Sequence, residues 1–271
     1  MLFLLACLAI PLCNVVMLSF YRHSANRIWV PQFTLDNYQA LSGIYFISLG
    51  LRTLKVGVIT TCFCILLGYP VAYYFARAGR RALVFGMFVL FMPLMVSAVV
   101  GAFGWIVILG RNGILNSALK ALHFDFQVQI LYSEIAVVIA LVNLLLPMMV
   151  LPLMASIEKI PRRLEEVAVN LGASPLLTFW RVVIPLSMPG LISGSLLCFT
   201  IAISAVVTPR LLGGNGSRMI GTEIYEQVVT AYNWPFASSL AVVLVAIIVF
   251  TLFVSFAAER GRRQRAVRER R

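Results

Sequence analysis

Among the polar side chains inside long apolar runs, Asn143, Ser193, Thr200, Ser204 and Thr208 are the ones placed to meet a solute. Thr200, Ser204 and Thr208 recur at i, i+4 and i+8, with Ser193 near the same face, so on a helix they form a hydroxyl stripe. Such a stripe offers hydrogen bonds to a passing solute, as one wall of a translocation path. The alternative is that the hydroxyls bond the carbonyl at i−4 or pack against a neighbouring helix. Asn143 is an amide that needs partners when buried; an interhelical hydrogen bond satisfies it as well as solute contact does.

Catalytic and metal-binding sets are missing. His23 and His123 are the only histidines, and both fall in predicted external loops, so a His-based triad or a metal cluster inside the membrane is not expected. Cys7, Cys13, Cys62, Cys64 and Cys198 all fall in predicted spans. Cys62 and Cys64 point about 200° apart on a helix, poor geometry for one metal, and are read as small apolar packing residues. No Asp or Glu lies deep in an apolar run, which argues against a proton relay or a carboxylate-lined cation pathway. No G-x-x-x-x-G-K-[ST] occurs and no Lys follows any Gly, so ATP is not cradled here by the usual loop. Gly213-Gly214-Asn215-Gly216 lacks the lysine and is a plain turn. No enzymatic activity of its own and no cofactor are expected of this chain.

The longest polar interruption, Ile160–Pro189, has helical grammar of its own. Leu164, Val167, Ala168 and Leu171 fall at i, i+3, i+4 and i+7, a one-sided apolar stripe beside Glu165 and Glu166. Pro161 suits a first helical position and Gly172 the left-handed residue just past a helix end. Ser174-Pro175 then signals a new N-cap and first turn. Leu176, Phe179, Trp180 and Val183 repeat the spacing. Two short amphipathic helices hinged at Gly172-Ala173-Ser174 are predicted. Arg162, one turn before Glu166, is placed to hold it at about 0.2–0.5 kcal/mol. A helix resting on the membrane surface is the competing use of such a stripe.

Composition sets these residues in a membrane. Of 271 residues 61% are hydrophobic and 12% charged, against about 25% charged in a soluble domain. Six charge-free windows, Leu2–Tyr21, Val56–Ala76, Ala82–Gly110, Ile135–Ile157, Val182–Pro209 and Gln227–Ala258, each hold the ~20 residues of a spanning helix. With the N-terminus inside, the inner segments carry fourteen of the 22 Lys and Arg, including Arg77, Arg80, Arg81, Lys159, Arg162, Arg163, Arg181 and seven Arg from Arg260 onward. The positive-inside rule therefore puts both termini in the cytoplasm. The basic tail, 258–271, is a topology and lipid-headgroup anchor rather than a nucleic-acid site.

Spans are expected at Met1–Phe20, Val56–Ala76, Ala82–Val100, Glu134–Ala155, Val182–Val207 and Phe236–Ala257. A cleaved signal peptide competes for the first, but no basic segment precedes it and no clear small-x-small site follows. Pro70 should kink the second. Tyr21–Lys55 is an external loop, as is Phe103–Ser133 with its short helices. Trp29, Trp105, Trp180 and Trp234 fall at predicted span ends, as an aromatic belt requires. No soluble domain and no repeat are evident.

Glu166-Val167-Ala168, three residues, Gly172, nine residues, then Val182-Val183-Ile184-Pro185 resembles the EAA loop of type I ABC importer permeases. Departures at Val167, Val182 and Ile184 conserve size or polarity. Leu67–Tyr73, Thr208–Gly216, Met219–Gly221 and Asn233–Ser239 are similar to segments of spermidine/putrescine-type permeases, and the likeness runs from about Thr34 to Ala257.

The resemblance implies an all-α integral membrane protein of six spans, with a permease core at 48–257 and a cytoplasmic coupling elbow at 158–181. It implies a bacterial inner-membrane half-channel paired with a second permease, a different chain or an identical one. Two ATPase subunits that bind ATP and Mg would complete it, with a periplasmic solute-binding protein. The elbow would dock in the ATPase, with Glu166 in contact and Glu165, Arg162, Leu164, Ala168, Leu171, Gly172 and Pro185 shaping it. The implied cargo is polyamine-like; phosphonates, opines and ferric ion are the alternatives, and a passive channel or a scaffold is a different class. No nucleic-acid partner is implied.

Overall fold

A computed structural model describes residues 2–24, 27–121 and 129–268. His123 and the last three residues of the basic tail lie outside the described residues. In chain order the elements are α1 (Leu2–Ser19), β1 (Tyr21–Ser24), β2 (Arg27–Phe33), α2 (Asp36–Leu41), α3 (Ile44–Arg77), α4 (Arg80–Met95), α5 (Ala98–Leu109), α6 (Ile114–Ala121) and α7 (Glu134–Glu158). There follow α8 (Arg162–Asn170), α9 (Pro175–Thr178), α10 (Ile184–Ile203), α11 (Val207–Leu212), α12 (Ile220–Val229) and α13 (Trp234–Arg268).

Five helices among the described residues are long and apolar enough to cross a membrane: Ile44–Arg77, Ala98–Ala121, Glu134–Glu158, Pro175–Ile203 and Trp234–Ser255. Ala9–Ser19 is a shorter apolar helix. Of the six expected spans the first, Met1–Phe20, is not among these five, and the others are redrawn at two places. The window expected to cross at 82–100 is interrupted, because Val96 and Ser97 take extended ψ angles of 135° and 138°. That leaves α4 with 16 residues, about 24 Å, short of the ~30 Å apolar slab. Ala98–Ala121 takes its place and absorbs much of the expected Phe103–Ser133 loop. Trp105 consequently lies within a span rather than at its end. A backbone break at Val96-Ser97, between two apolar helices, leaves no mark in averaged hydropathy.

The second difference is α3. Its 34 residues span about 51 Å, so the helix begins within the expected external loop and carries Arg52 and Lys55 on its outer turns. Pro70 stands inside it, as Pro147 and Pro152 stand inside α7. The described residues before α3, from Tyr21, form the antiparallel pair β1–β2 and α2. Asn37 pins this segment to the end of α1 by donating to the carbonyls of Ser19 (2.9 Å) and Tyr21 (3.0 Å).

The residues sort into two compact units. In the first, Met1–Leu54, Ile203–Arg210 and Ser217–Arg271, α1 packs along α13. The start of α3 meets α12: the Ile220 amide donates to Thr53 Oγ1 at 2.9 Å and Tyr45 donates to the buried Glu223 at 3.1 Å. The second unit, Lys55–Ala202 with Leu211–Gly216, is organised around α7, twelve of whose side chains are buried. Its packing is close because glycines face it. A Cβ on Gly68 of α3 would meet Met149 Cγ at 2.9 Å, and one on Gly194 of α10 would meet Met149 Sδ at 2.9 Å. Gly190 and Gly194 form a G-x-x-x-G, the spacing that lets helix backbones approach in lipid. Cys64 and Cys198 are buried in this unit while Cys62 is exposed, as their separation on the helix requires.

Candidate functional site: the elbow between α7 and α10

The elbow begins where α7 ends. Ile160 is buried, and Pro161 takes φ −60° and ψ 129°, so proline is the N-cap residue of α8 and Arg162 the first helical one. One residue separates this from the expected start; an extended ψ is compatible with the fixed proline φ. At the other end the Gly172 amide donates to Val169 and the Ala173 amide to Ala168, with Gly172 at φ +88°. That is a Schellman closure, and glycine is present because a Cβ penalises this φ. Ser174 then caps α9, its hydroxyl accepting from the Leu177 amide at 3.3 Å.

The second amphipathic helix is not a separate short element. It runs from α9 through one wide π turn, Phe179–Val183, into α10, a single stretch from Pro175 to Ile203. The Ile184 amide reaches back five residues to the Phe179 carbonyl. Pro185 follows and cannot donate to the turn above it. The wide turn breaks the 3.6 period, so the expected stripe is divided. Leu176 and Trp180 are exposed, whereas Val183 is buried and Phe179 half-buried.

On α8 the apolar stripe is uncovered. Leu164, Val167 and Leu171 are 45%, 54% and 83% exposed, Glu166 is exposed, and Ala168 is half-buried among them. Arg162 does not hold Glu166. Its guanidinium donates to the Arg77 carbonyl at 3.0 Å, because the end of α3 lies beneath the start of α8. Glu165 turns to the same place: it is ion-paired with Arg77 and accepts from the Tyr73 hydroxyl at 2.8 Å. Arg77 also donates to the Ile160 carbonyl at 3.1 Å. Phe179 stands edge-on to Tyr69 and Tyr73, with centroids 5.0 and 5.7 Å away. A cavity of about 360 Å³ opens here between Tyr73, Glu165, Glu166, Thr178, Phe179 and Val183. The buried Thr178 hydroxyl has no partner in it.

Tyr73 and Arg77 were not among the expected site residues. The sequence does carry a signal, because Tyr69, Tyr73 and Arg77 recur at i, i+4 and i+8 and so share one helix face.

The solute-facing set is not brought together on one helix. α10 ends at Ile203, so Ser204 falls in a turn and Thr208 is buried on α11. The expected stripe over Thr200, Ser204 and Thr208 therefore breaks. Ser193 is exposed, with its hydroxyl donated back to the carbonyls of Pro189 (2.9 Å) and Gly190 (3.1 Å). Thr200 is half-buried. Asn143 is exposed on α7, not buried as an interhelical partner within this chain. Among the described residues no three His, Cys, Asp or Glu side chains converge as a metal site.

The chain is 33% identical over 252 residues to the spermidine/putrescine transport system permease protein PotB of Haemophilus influenzae, covering 93% of this chain and 88% of that one. It is 36% identical over 229 residues to PotB of Escherichia coli, covering 84% and 83%. The fold is that of a chain in the crystal structure of a bacterial ABC transporter that imports the acidic polysaccharide alginate. The TM-score is 0.70 at 17% identity, covering 94% of this chain and 92% of that one. Residues 64–263 match the family model described as the binding-protein-dependent transport system inner membrane component. The chain belongs to that family of ABC importer permeases and is a transport subunit of the inner membrane, not an enzyme.

Proposed function

We propose that this permease forms half of the translocation path for spermidine, putrescine or a closely similar polyamine. It works beside a second, different permease, two ATPase subunits that bind ATP and Mg, and a periplasmic solute-binding protein. Both termini lie in the cytoplasm, which places the elbow on the side where ATP is hydrolysed. The cargo rests on the likeness to the two PotB proteins over most of both chains. A periplasmic partner accords with the alginate transporter, crystallised with its pentasaccharide-bound periplasmic protein.

The observation that carries the coupling role is the uncovered face of α8. Leu164, Val167 and Leu171 project from a helix whose other side is fastened to its own chain. Full burial of an exposed Val or Leu is worth about 1.5–3 kcal/mol, so covering the half-exposed Leu164 and Val167 contributes about half of that each and Leu171 most of it, and the small Ala168 lets a partner approach. Glu166 borders that face as a charged rim contact. Gly172 and Pro185 shape the two ends of the elbow. Asn143, Ser193 and Thr200, which lie in one compact unit, are the side chains offered to the solute path.

The test is uptake of radiolabelled spermidine into proteoliposomes holding the whole complex. Uptake is expected only with ATP inside and binding protein outside, with putrescine competing. Uptake without ATP would show a channel, and indifference to both polyamines would overturn the cargo. Glu166→Lys is expected to abolish ATPase co-purification while the chain still inserts; normal uptake by that variant would sink the docking assignment.

A further inference from the structure

Glu165 and Glu166 are neighbours in sequence and do different things. Side chains one residue apart on a helix point about 100° apart. Glu166 is directed outward, beside the docking stripe, and Glu165 inward, onto the end of α3. There Arg77, the last residue of α3, gathers three points of the elbow. Its guanidinium takes the Glu165 carboxylate and the Ile160 carbonyl ahead of α8, and its carbonyl takes the Arg162 guanidinium. Tyr73, one turn earlier on the same face, holds the second Glu165 oxygen at 2.8 Å.

The pair is largely shielded, with the Arg77 and Glu165 side chains 16% and 18% exposed. Its attraction is accordingly screened less than that of a surface pair. Beyond the hinge, Phe179 packs edge-on against Tyr69 and Tyr73, two side chains of the same α3 stripe. Both arms of the elbow are thus tied to one segment, Tyr69–Arg77. A force applied to the outer face of α8 reaches α3 through a charged, doubly hydrogen-bonded contact and not through a free loop.

We propose that Arg77, Glu165 and Tyr73 form a strut that carries movement of the docked elbow into α3. Glu165 is a positioning residue and does not itself meet the ATPase. This rests on the docking role proposed above.

The experiment measures ATP hydrolysis and solute uptake side by side in proteoliposomes of the whole complex. For Glu165→Ala and Arg77→Met the ATPase is expected to co-purify and hydrolyse ATP as before. Solute carried per ATP should fall about tenfold, within the usual span of coupling between sites. Arg77→Lys, which keeps the charge, should retain more of that ratio than Arg77→Met. An unchanged ratio overturns the strut, and so does loss of ATPase association, which would make Glu165 a docking contact. Should Glu165→Ala fail to insert, Glu165→Gln and Tyr73→Phe decide on the same ratio: a fall supports the strut and no change overturns it. Failure of the docking role is distinguishable, because Glu166→Lys would then transport normally, whereas failure of the strut alone leaves Glu166→Lys defective.

Discussion

Gly190 on α10 lies so close to α7 that a Cβ placed on it would stand 3.0 Å from the Leu153 Cα. It would also press on the Ser156 Cβ and the Pro152 carbonyl oxygen, closer still. Two of these three obstacles are backbone, which cannot rotate away. Gly190→Ala is therefore expected to destabilise by about 1–3 kcal/mol, the usual cost of overpacking. Gly194→Ala should cost less, since its nearest obstacle is the flexible Met149 thioether at 2.9 Å. Thermal unfolding in detergent ranks the two; equal melting temperatures would mean that α7 and α10 separate more easily than this packing allows.

The docking face separates association from stability. Val167 and Leu171 are 54% and 83% exposed, so a charge at either removes little packing within the chain. Val167→Asp and Leu171→Asp should leave stability within about 0.5 kcal/mol of the parent, as surface substitutions do. Each should sharply reduce ATPase co-purification, because an unpaired carboxylate would be buried on docking. A fall in melting temperature with association intact would place these side chains inside the fold.

The hinge makes a backbone prediction. A Cβ on Gly172 would meet nothing within 4 Å, so steric crowding by neighbours is not the cost. The cost is φ +88°, about 1–2 kcal/mol for a residue with a Cβ. Gly172→Asn should be milder than Gly172→Val, because asparagine tolerates the left-handed region and a β-branched residue does not. Transport rates of the two variants at matched expression would check the order.

The aromatic contacts beneath the elbow predict local loosening. Phe179→Ala removes its edge-to-face contacts with Tyr69 and Tyr73 on α3 and with Trp180, each worth about 0.5–1.5 kcal/mol beyond area burial. Hydrogen exchange across 162–178 should rise while that of α7 stays slow. Uniform acceleration throughout the chain would mean global destabilisation instead.

Much of the elbow was legible because its signals are local. The Schellman glycine at Gly172, the Ser174 cap and the 3.6-period stripe on α8 each depend on a few consecutive residues. Periodicity shows the same stripe whether or not anything covers it. The π turn was not legible, since Pro185 is compatible with several helical registers and only packing of Phe179 against Tyr69 and Tyr73 selects the wide one. The break at Val96-Ser97 escaped for a related reason: both the helix before it and the helix after it are apolar, and hydropathy has no term for ψ.

By itself the sequence determined that this is a membrane chain, that it lacks a nucleotide loop, and that one hinged polar segment interrupts its apolar runs. Those are properties of composition and short-range spacing. Only the tertiary structure decided that Glu165 faces Arg77 and Tyr73 while Glu166 faces outward, and that Thr208 leaves the Thr200 helix. The first of these depends on which helix end lies beneath which turn, a relation between residues some ninety positions apart that no local pattern encodes.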